Sequence, residues 1–189
     1  MKNVYITNNH IISSLGFDSK SNFENLKVEK SGIQKCEIEN NDSIYASLID
    51  KKRLNHFFSK LDDGSDYTIL EKMMLISVNQ ILKDSKHKIT KKTGLIISTT
   101  KGNVDVLRSL SKFNNDPKRA YLSELGNVIQ HFFDFKEEAI VLSNACISGL
   151  LAISVAKHLI QSNLYDDIII VSGDLVSEFI VSGFKSFNA

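Results

Sequence analysis

The sequence predicts an α/β layered domain, on two observations. Short apolar runs suited to buried strands, at 93–97, 139–142 and 168–171, alternate with longer stretches of helical periodicity. These runs are continuous rather than alternating, as in strands of a parallel sheet covered on both faces. With 189 residues the chain is long enough for one well-buried domain, 1–189.

In chain order, Val4-Tyr5-Ile6-Thr7 has strand character, and Asn8-Asn9-His10 follows as a turn. His10 is read as a solvated turn residue, with a functional role left open. Asp18 is placed to cap a helix over 19–28, with Phe23 and Leu26 on its apolar face. Residues 36–42 are polar and read as a loop, and 44–49 as a strand. Lys51, Lys52, Arg53 and Lys60 make a basic cluster around Asn55-His56-Phe57-Phe58. A charge run is ordinarily a solvated face. Residues 62–65 form a turn.

Asp66 is expected to cap a helix over 67–83, whose wide apolar face includes Ile69, Leu70, Met73, Met74, Ile76 and Ile81. A polar loop over 83–92 leads to the strand 93–97 and a turn over 98–103, which lacks the phosphate-loop pattern. A helix is expected over 104–112, a loop holding the only proline, Pro117, over 113–119, and a helix over 121–133.

The stretch 138–173 organises the chain. Strand 139–142 runs into Asn144-Ala145-Cys146, Ser148-Gly149 opens a helix over 150–161, and strand 168–171 ends at Ser172-Gly173. A cysteine at a strand-to-helix junction faces unpaired backbone N–H groups and the positive end of the helix dipole, which favour the reactive thiolate. Against this stands the commoner role of free cysteine as inert packing. The nucleophile elbow of hydrolases shares these mechanics, but its glycines are replaced here by Asn144 and Ser148. A cysteine hydrolase would need an acid and a histidine, for which Asp174 and His158 are the candidates. The helix 150–161 carries Leu150, Leu151, Ile153, Val155, Leu159 and Ile160 on all sides, which predicts burial on all sides.

The segment Ser143-Asn144-Ala145-Cys146-Ile147-Ser148-Gly149-Leu150 resembles the active-site segment of β-ketoacyl-acyl-carrier-protein synthases, Thr-Ala-Cys-(small)-(Ser/Thr)-Gly. Ala152-Ile153, Leu159-Ile160-Gln161-Ser162 and Val171-Ser172-Gly173 match that family in order and spacing, and Lys30-Ser31-Gly32-Ile33 matches its Lys-Ser-Gly-Ile. Gly183-Phe184-Lys185-Ser186-Phe187-Asn188-Ala189 resembles its next segment, and 4–16 resembles its N-terminus, where Asn8 and His10 stand for glycines and Ser14 for proline. Asn144 and Ile147 depart from the pattern, and Ile147 puts a bulky side chain beside the cysteine.

The resemblance implies a thiolase-like fold of α-β-α-β-α layers, of which this chain is the N-terminal half, with the helix 150–161 between two sheets. It implies Cys146 as acyl-accepting nucleophile, with its backbone N–H donating to the oxyanion, and decarboxylative condensation with a malonyl thioester in fatty-acid, polyene or polyketide assembly. It implies acyl carrier protein as partner, docking on Lys51, Lys52, Arg53 and Lys60. It further implies homodimerisation with strand 139–142 at the contact, or pairing with a chain supplying the second half and its histidines and lysine. The alternative is a non-catalytic partner like the chain-length subunits, which typically lack the cysteine.

The net charge of +1 points away from nucleic acid and anionic membranes. Without a signal peptide or membrane-length apolar run, and with two distant cysteines, Cys36 and Cys146, a reduced cytoplasmic protein is expected. No cofactor or metal is expected.

Overall fold

The computed structural model describes residues 2–37, 43–62, 66–108, 111–113 and 115–187. Its centre is a three-stranded parallel sheet in the order β4-β3-β5: β3 is Thr93–Ser98, β4 Ile140–Leu142 and β5 Asp167–Ser172. Ile96 pairs with Ile140 on one side and Ile170 on the other, so the three strands end together at Ser98, Leu142 and Ser172. All six residues of β3 are buried, as a central strand covered on both faces requires.

The two faces have different covers. Leu95, Ile97 and Val171 pack against α3 (Ile69–Ser85) and α4 (Leu122–Phe133) through Leu70, Met74, Leu75, Leu125 and Ile129. Each of these large side chains, fully buried, contributes about 1.5–3 kcal/mol. Ile96, pointing the other way, meets Ala152 and Ala156 of α5 (Ser148–Gln161). Two alanines on the inner face let α5 lie close to the sheet. Its outer face is uncovered: Leu150 is 70% exposed and Ile153 44%. The all-round burial expected for this helix is therefore not found in the chain by itself, because nothing described packs on that side.

Several element boundaries differ from the sequence expectation. Thr68, not Asp66, caps α3: its side chain accepts from the Glu71 N–H at 3.2 Å while the Glu71 carboxylate accepts from the Thr68 N–H at 2.8 Å. This reciprocal capping box outcompetes a cap two residues earlier. Asp18 caps α1 (Ser19–Lys27) as expected, but Phe23 and Leu26 are exposed and Asn22 is the buried residue. Asn22 is drawn in because its amide donates to the carbonyls of Ile11, Gly16 and Asp18. Cys36 lies in a strand, not a loop: β1 (Gln34–Glu37) pairs antiparallel with β2 (Ser43–Ala46). The rest of the expected loop, 38–42, and residues 63–65 of the turn before α3 lie outside the described residues.

The basic segment forms a helix, α2 (Lys51–Phe58), capped by Asp50 and anchored by buried Leu54 and Phe58. Of the expected helix 104–112, Val104–Leu107 form a 3₁₀ turn ended by extended backbone at Arg108, and 109–110 lie outside the described residues. A second 3₁₀ turn, Pro117–Ala120, starts at the proline, and α6 (Glu178–Ser186) closes the described chain.

The segment 4–7 joins no ladder. Tyr5 and Ile6 are 75% and 77% exposed, and the segment is fastened at its ends by Gln161 Nε2 to the Lys2 carbonyl and by His10 Nδ1 to Ser77 Oγ. A groove of about 1100 Å³ separates it from β5, floored by α3 and α5 residues including Met74, Ser77, Ile153 and Ala156. Strand character without an adjacent backbone yields extended chain rather than sheet.

Candidate functional site

The carboxyl ends of β3, β4 and β5 converge on one turn. After β4 the chain passes Ser143 and Asn144, makes a single 3₁₀ turn at Ala145–Ile147 and enters α5 at Ser148. Ala145 holds φ +43°, left-handed backbone unusual for alanine. The turn is locked from within by Ser148, which is 6% exposed: its hydroxyl accepts from the Asn144 N–H and donates to the Ala145 carbonyl, both at 2.8 Å. It is braced from outside by Thr100, whose hydroxyl donates to the same carbonyl at 3.2 Å.

Cys146 is exposed on this locked turn. The amino end of α5 carries no side-chain cap and no acidic residue in its first turn, so its positive end is not neutralised locally. Ile147, beside the cysteine, is 54% exposed and forms an apolar rim. The cysteine is therefore accessible, and it immediately precedes a helix terminus of the kind suited to anionic oxygen.

Asp174 and His158, the candidate hydrolase pair, are not assembled. The Asp174 carboxylate accepts from Thr99 Oγ1, Thr100 N and Lys101 N at 2.9–3.0 Å. His158 turns its Nδ1 to the Ser154 carbonyl on its own helix. The other histidines also have partners away from the sulfur: His10 meets Ser77, His87 meets Asp167 and Thr93, His131 meets the Asn127 carbonyl, and His56 lies edge-on to Phe57. His10 is not the solvated turn residue expected. It is partly buried, and that burial lowers its pKa against the opposing pull of Asp18 and Asp84.

The basic residues gather around an aromatic pair. Lys51, Lys52 and Arg53 are exposed on the first turn of α2, and Lys60 follows its end. Phe17 and Phe57 stack at 5.2 Å between centroids, with the Arg53 guanidinium 4.7 Å from Phe17 and Lys60 Nζ 5.4 Å from Phe57. Lys51 and Lys52 leave this stack for solvent.

Sequence reasoning did not find the bracing residues Thr99, Thr100 and Ser148. A Thr-Thr pair at the end of a buried strand was the available signal, but its partners lie 45 and 74 residues away.

No protein-family model and no curated protein matches the sequence. Solved structures do match the fold. A chain from the complex of a ketosynthase (ApeO) with its chain length factor (ApeC) from Xenorhabdus doucetiae superposes with a TM-score of 0.75 at 18% identity, covering 98% of this chain and 50% of that one. The fold is thiolase-like. The ishigamide ketosynthase/chain length factor matches with a TM-score of 0.75 at 14% identity, over 94% of this chain and 54% of that one. The chain thus spans about half the length of these neighbours. Both are assemblies of a ketosynthase with a chain length factor. Among the described residues, no helix is long and apolar enough to cross a membrane.

Proposed function

We propose that this chain carries the nucleophile of a β-ketoacyl-acyl-carrier-protein synthase-type acyltransferase, with Cys146 as acyl acceptor. The observation that carries the reading is the exposed thiol on a locked turn at the amino end of α5, in a ketosynthase-like fold. In the first step the sulfur attacks the carbonyl carbon of an acyl thioester. The developing oxyanion is met by backbone N–H at the helix end, and the carrier thiol leaves with a proton, transferring the acyl group to Cys146. In the second, a malonyl thioester loses carbon dioxide and its carbanion displaces the Cys146 sulfur. The product is a β-ketoacyl thioester, longer by two carbons.

The second step needs donors for the enolate oxygen. Each of the five histidines has a contact elsewhere, which supports a reading in which a second half or a partner chain supplies these donors. Acyl carrier protein, which is acidic, docks on Lys51, Lys52, Arg53 and Lys60, three of them on the first turn of α2. The pathway is fatty-acid, polyene or polyketide assembly.

The test is incubation of the purified chain with acyl-carrier-protein thioester, followed by intact and peptide mass spectrometry. Acylation of Cys146, abolished in Cys146→Ala, supports the reading. An unmodified Cys146 under conditions that acylate a ketosynthase control overturns it. A second reading, a non-catalytic chain-length-type partner, is favoured by the uncovered apolar face of α5 and by chain length factors among the structural neighbours. It predicts no adduct but stable association with a ketosynthase.

A further inference from the structure

We propose that Asp174 is a positioning residue for Cys146, acting through Thr100. This rests on the reading of Cys146 as acyl acceptor and adds the device that holds it. Asp174 stands two residues beyond the end of β5. Its Oδ1 accepts from Thr99 Oγ1 at 2.9 Å and from the N–H groups of Thr100 and Lys101 at 3.0 Å, and its Oδ2 accepts from Thr100 N at 3.0 Å. One carboxylate therefore gathers the turn that follows β3. Such bonds to an ionised acceptor are about twice as strong as neutral ones.

The turn is specialised to be held this way. Thr99 is fully buried, and its hydroxyl also accepts from the Gly102 N–H at 3.0 Å. Gly102 has φ +54°, and a Cβ there would lie 2.6 Å from Leu122 Cδ2. With the turn fixed, the Thr100 hydroxyl is delivered to the Ala145 carbonyl, the residue before Cys146. Ala145 is the point that needs bracing, because its left-handed backbone does not persist without surrounding contacts. The chain of bonds runs from the end of β5, across the end of β3, to the end of β4. It sets the direction in which the Cys146 sulfur and the first N–H groups of α5 present themselves.

The readout is alkylation, which reports on the thiol whether or not acyl transfer occurs, so failure here is distinct from failure of the functional reading. Iodoacetamide rates at Cys146 and Cys36 are measured in the 189-residue chain by peptide mass spectrometry, with circular dichroism as fold control. Asp174→Ala and Thr100→Val are each expected to slow Cys146 by about two- to fivefold, the size of a helix-terminus effect at an accessible group. Cys36 should be unchanged, and the double variant no slower than Asp174→Ala. Asp174→Asn keeps one acceptor oxygen and should restore part of the rate. It also stands in, with Thr100→Val, should Asp174→Ala not fold. A folded Asp174 variant with wild-type Cys146 rate, an equal change at Cys36, or additive single effects would overturn the proposal.

Discussion

Asn103 Nδ2 donates to Glu71 Oε1 at 2.8 Å, joining the loop after β3 to the first turn of α3 across 32 residues of sequence. The same carboxylate receives Arg119 Nη2 on Oε2 and the Thr68 N–H, so three segments meet on one fully buried acid. Burial is the larger influence and raises the pKa of Glu71, against the lowering effects of Thr68, Arg119 and Asn103.

Removing that carboxylate should be costly. Glu71→Ala leaves the buried Asn103 amide without its acceptor and takes the carboxylate partner from the half-buried Arg119 guanidinium, which keeps the Asp66 carbonyl, and about 1–3 kcal/mol of stability should be lost in urea unfolding. Because the folded-state pKa is raised, stability is greatest below the ordinary glutamate value of 4.5 and falls as pH rises through the folded value. Glu71→Gln should flatten that slope. A slope unchanged in Glu71→Gln would mean another group titrates.

His10 titrates with the opposite sense. Burial lowers its pKa below 6.5, so the docked segment is stabilised above that value and loses stability as pH falls through it. An NMR titration of the His10 ring should give a midpoint below 6.5. Ser77→Ala removes the bond that fastens the ring and should loosen residues 2–12 in hydrogen exchange. A midpoint at or above the unperturbed value would contradict the burial.

Ala145 sits at φ +43°. Ala145→Val places a β-branched side chain in left-handed backbone and should cost about 1–2 kcal/mol, while Ala145→Gly should be tolerated sterically. Thermal unfolding of the two variants compares them directly. Equal melting temperatures would show that the turn relaxes freely.

Cys146 should be labelled by iodoacetamide, or by the condensing-enzyme inhibitor cerulenin, before Cys36. The Cys36 thiol is half-buried in the β1–β2 hairpin and points to the Gln34 carbonyl at 3.3 Å, whereas Cys146 is exposed. Faster labelling of Cys36 would reverse the ranking.

The isolated chain should associate. β4 is an edge strand among the described residues, and Ile147, Leu150, Ile153, Phe179 and Phe184 are exposed apolar side chains. Light scattering at micromolar concentration should show species above 21.2 kDa, and Leu150→Lys should reduce them. A monodisperse monomer would remove both the β4 contact and the helix face as association surfaces.

The strands β3, β4 and β5 and the helices α3, α4 and α5 were legible in the sequence as apolar runs and helical periodicity, which in β3, α3 and α4 belong to side chains the fold buries. The strand–cysteine–helix junction was legible for the same reason. The α3 cap is also legible in the sequence: Thr68-x-x-Glu71 spells a capping box, which carries more than an acidic residue such as Asp66 before an apolar run. Segment 4–7 carries a strand pattern without a described strand beside it, which no local reading detects. The Asp174–Thr100–Ala145 relay is invisible to periodicity, since it depends on three strand ends being brought level by the register of the sheet.

The uncovered side of α5 also has a thermodynamic meaning. Any surface that binds Leu150 and Ile153 in the folded state, and not in the unfolded chain, acts as a stabilising ligand. At a hundredfold excess over its dissociation constant such a surface adds about 2.7 kcal/mol, a large share of a typical domain's margin. The steady amount of folded chain in a cell would then track the supply of whatever covers that helix, so that dosage of one polypeptide sets the lifetime of the other.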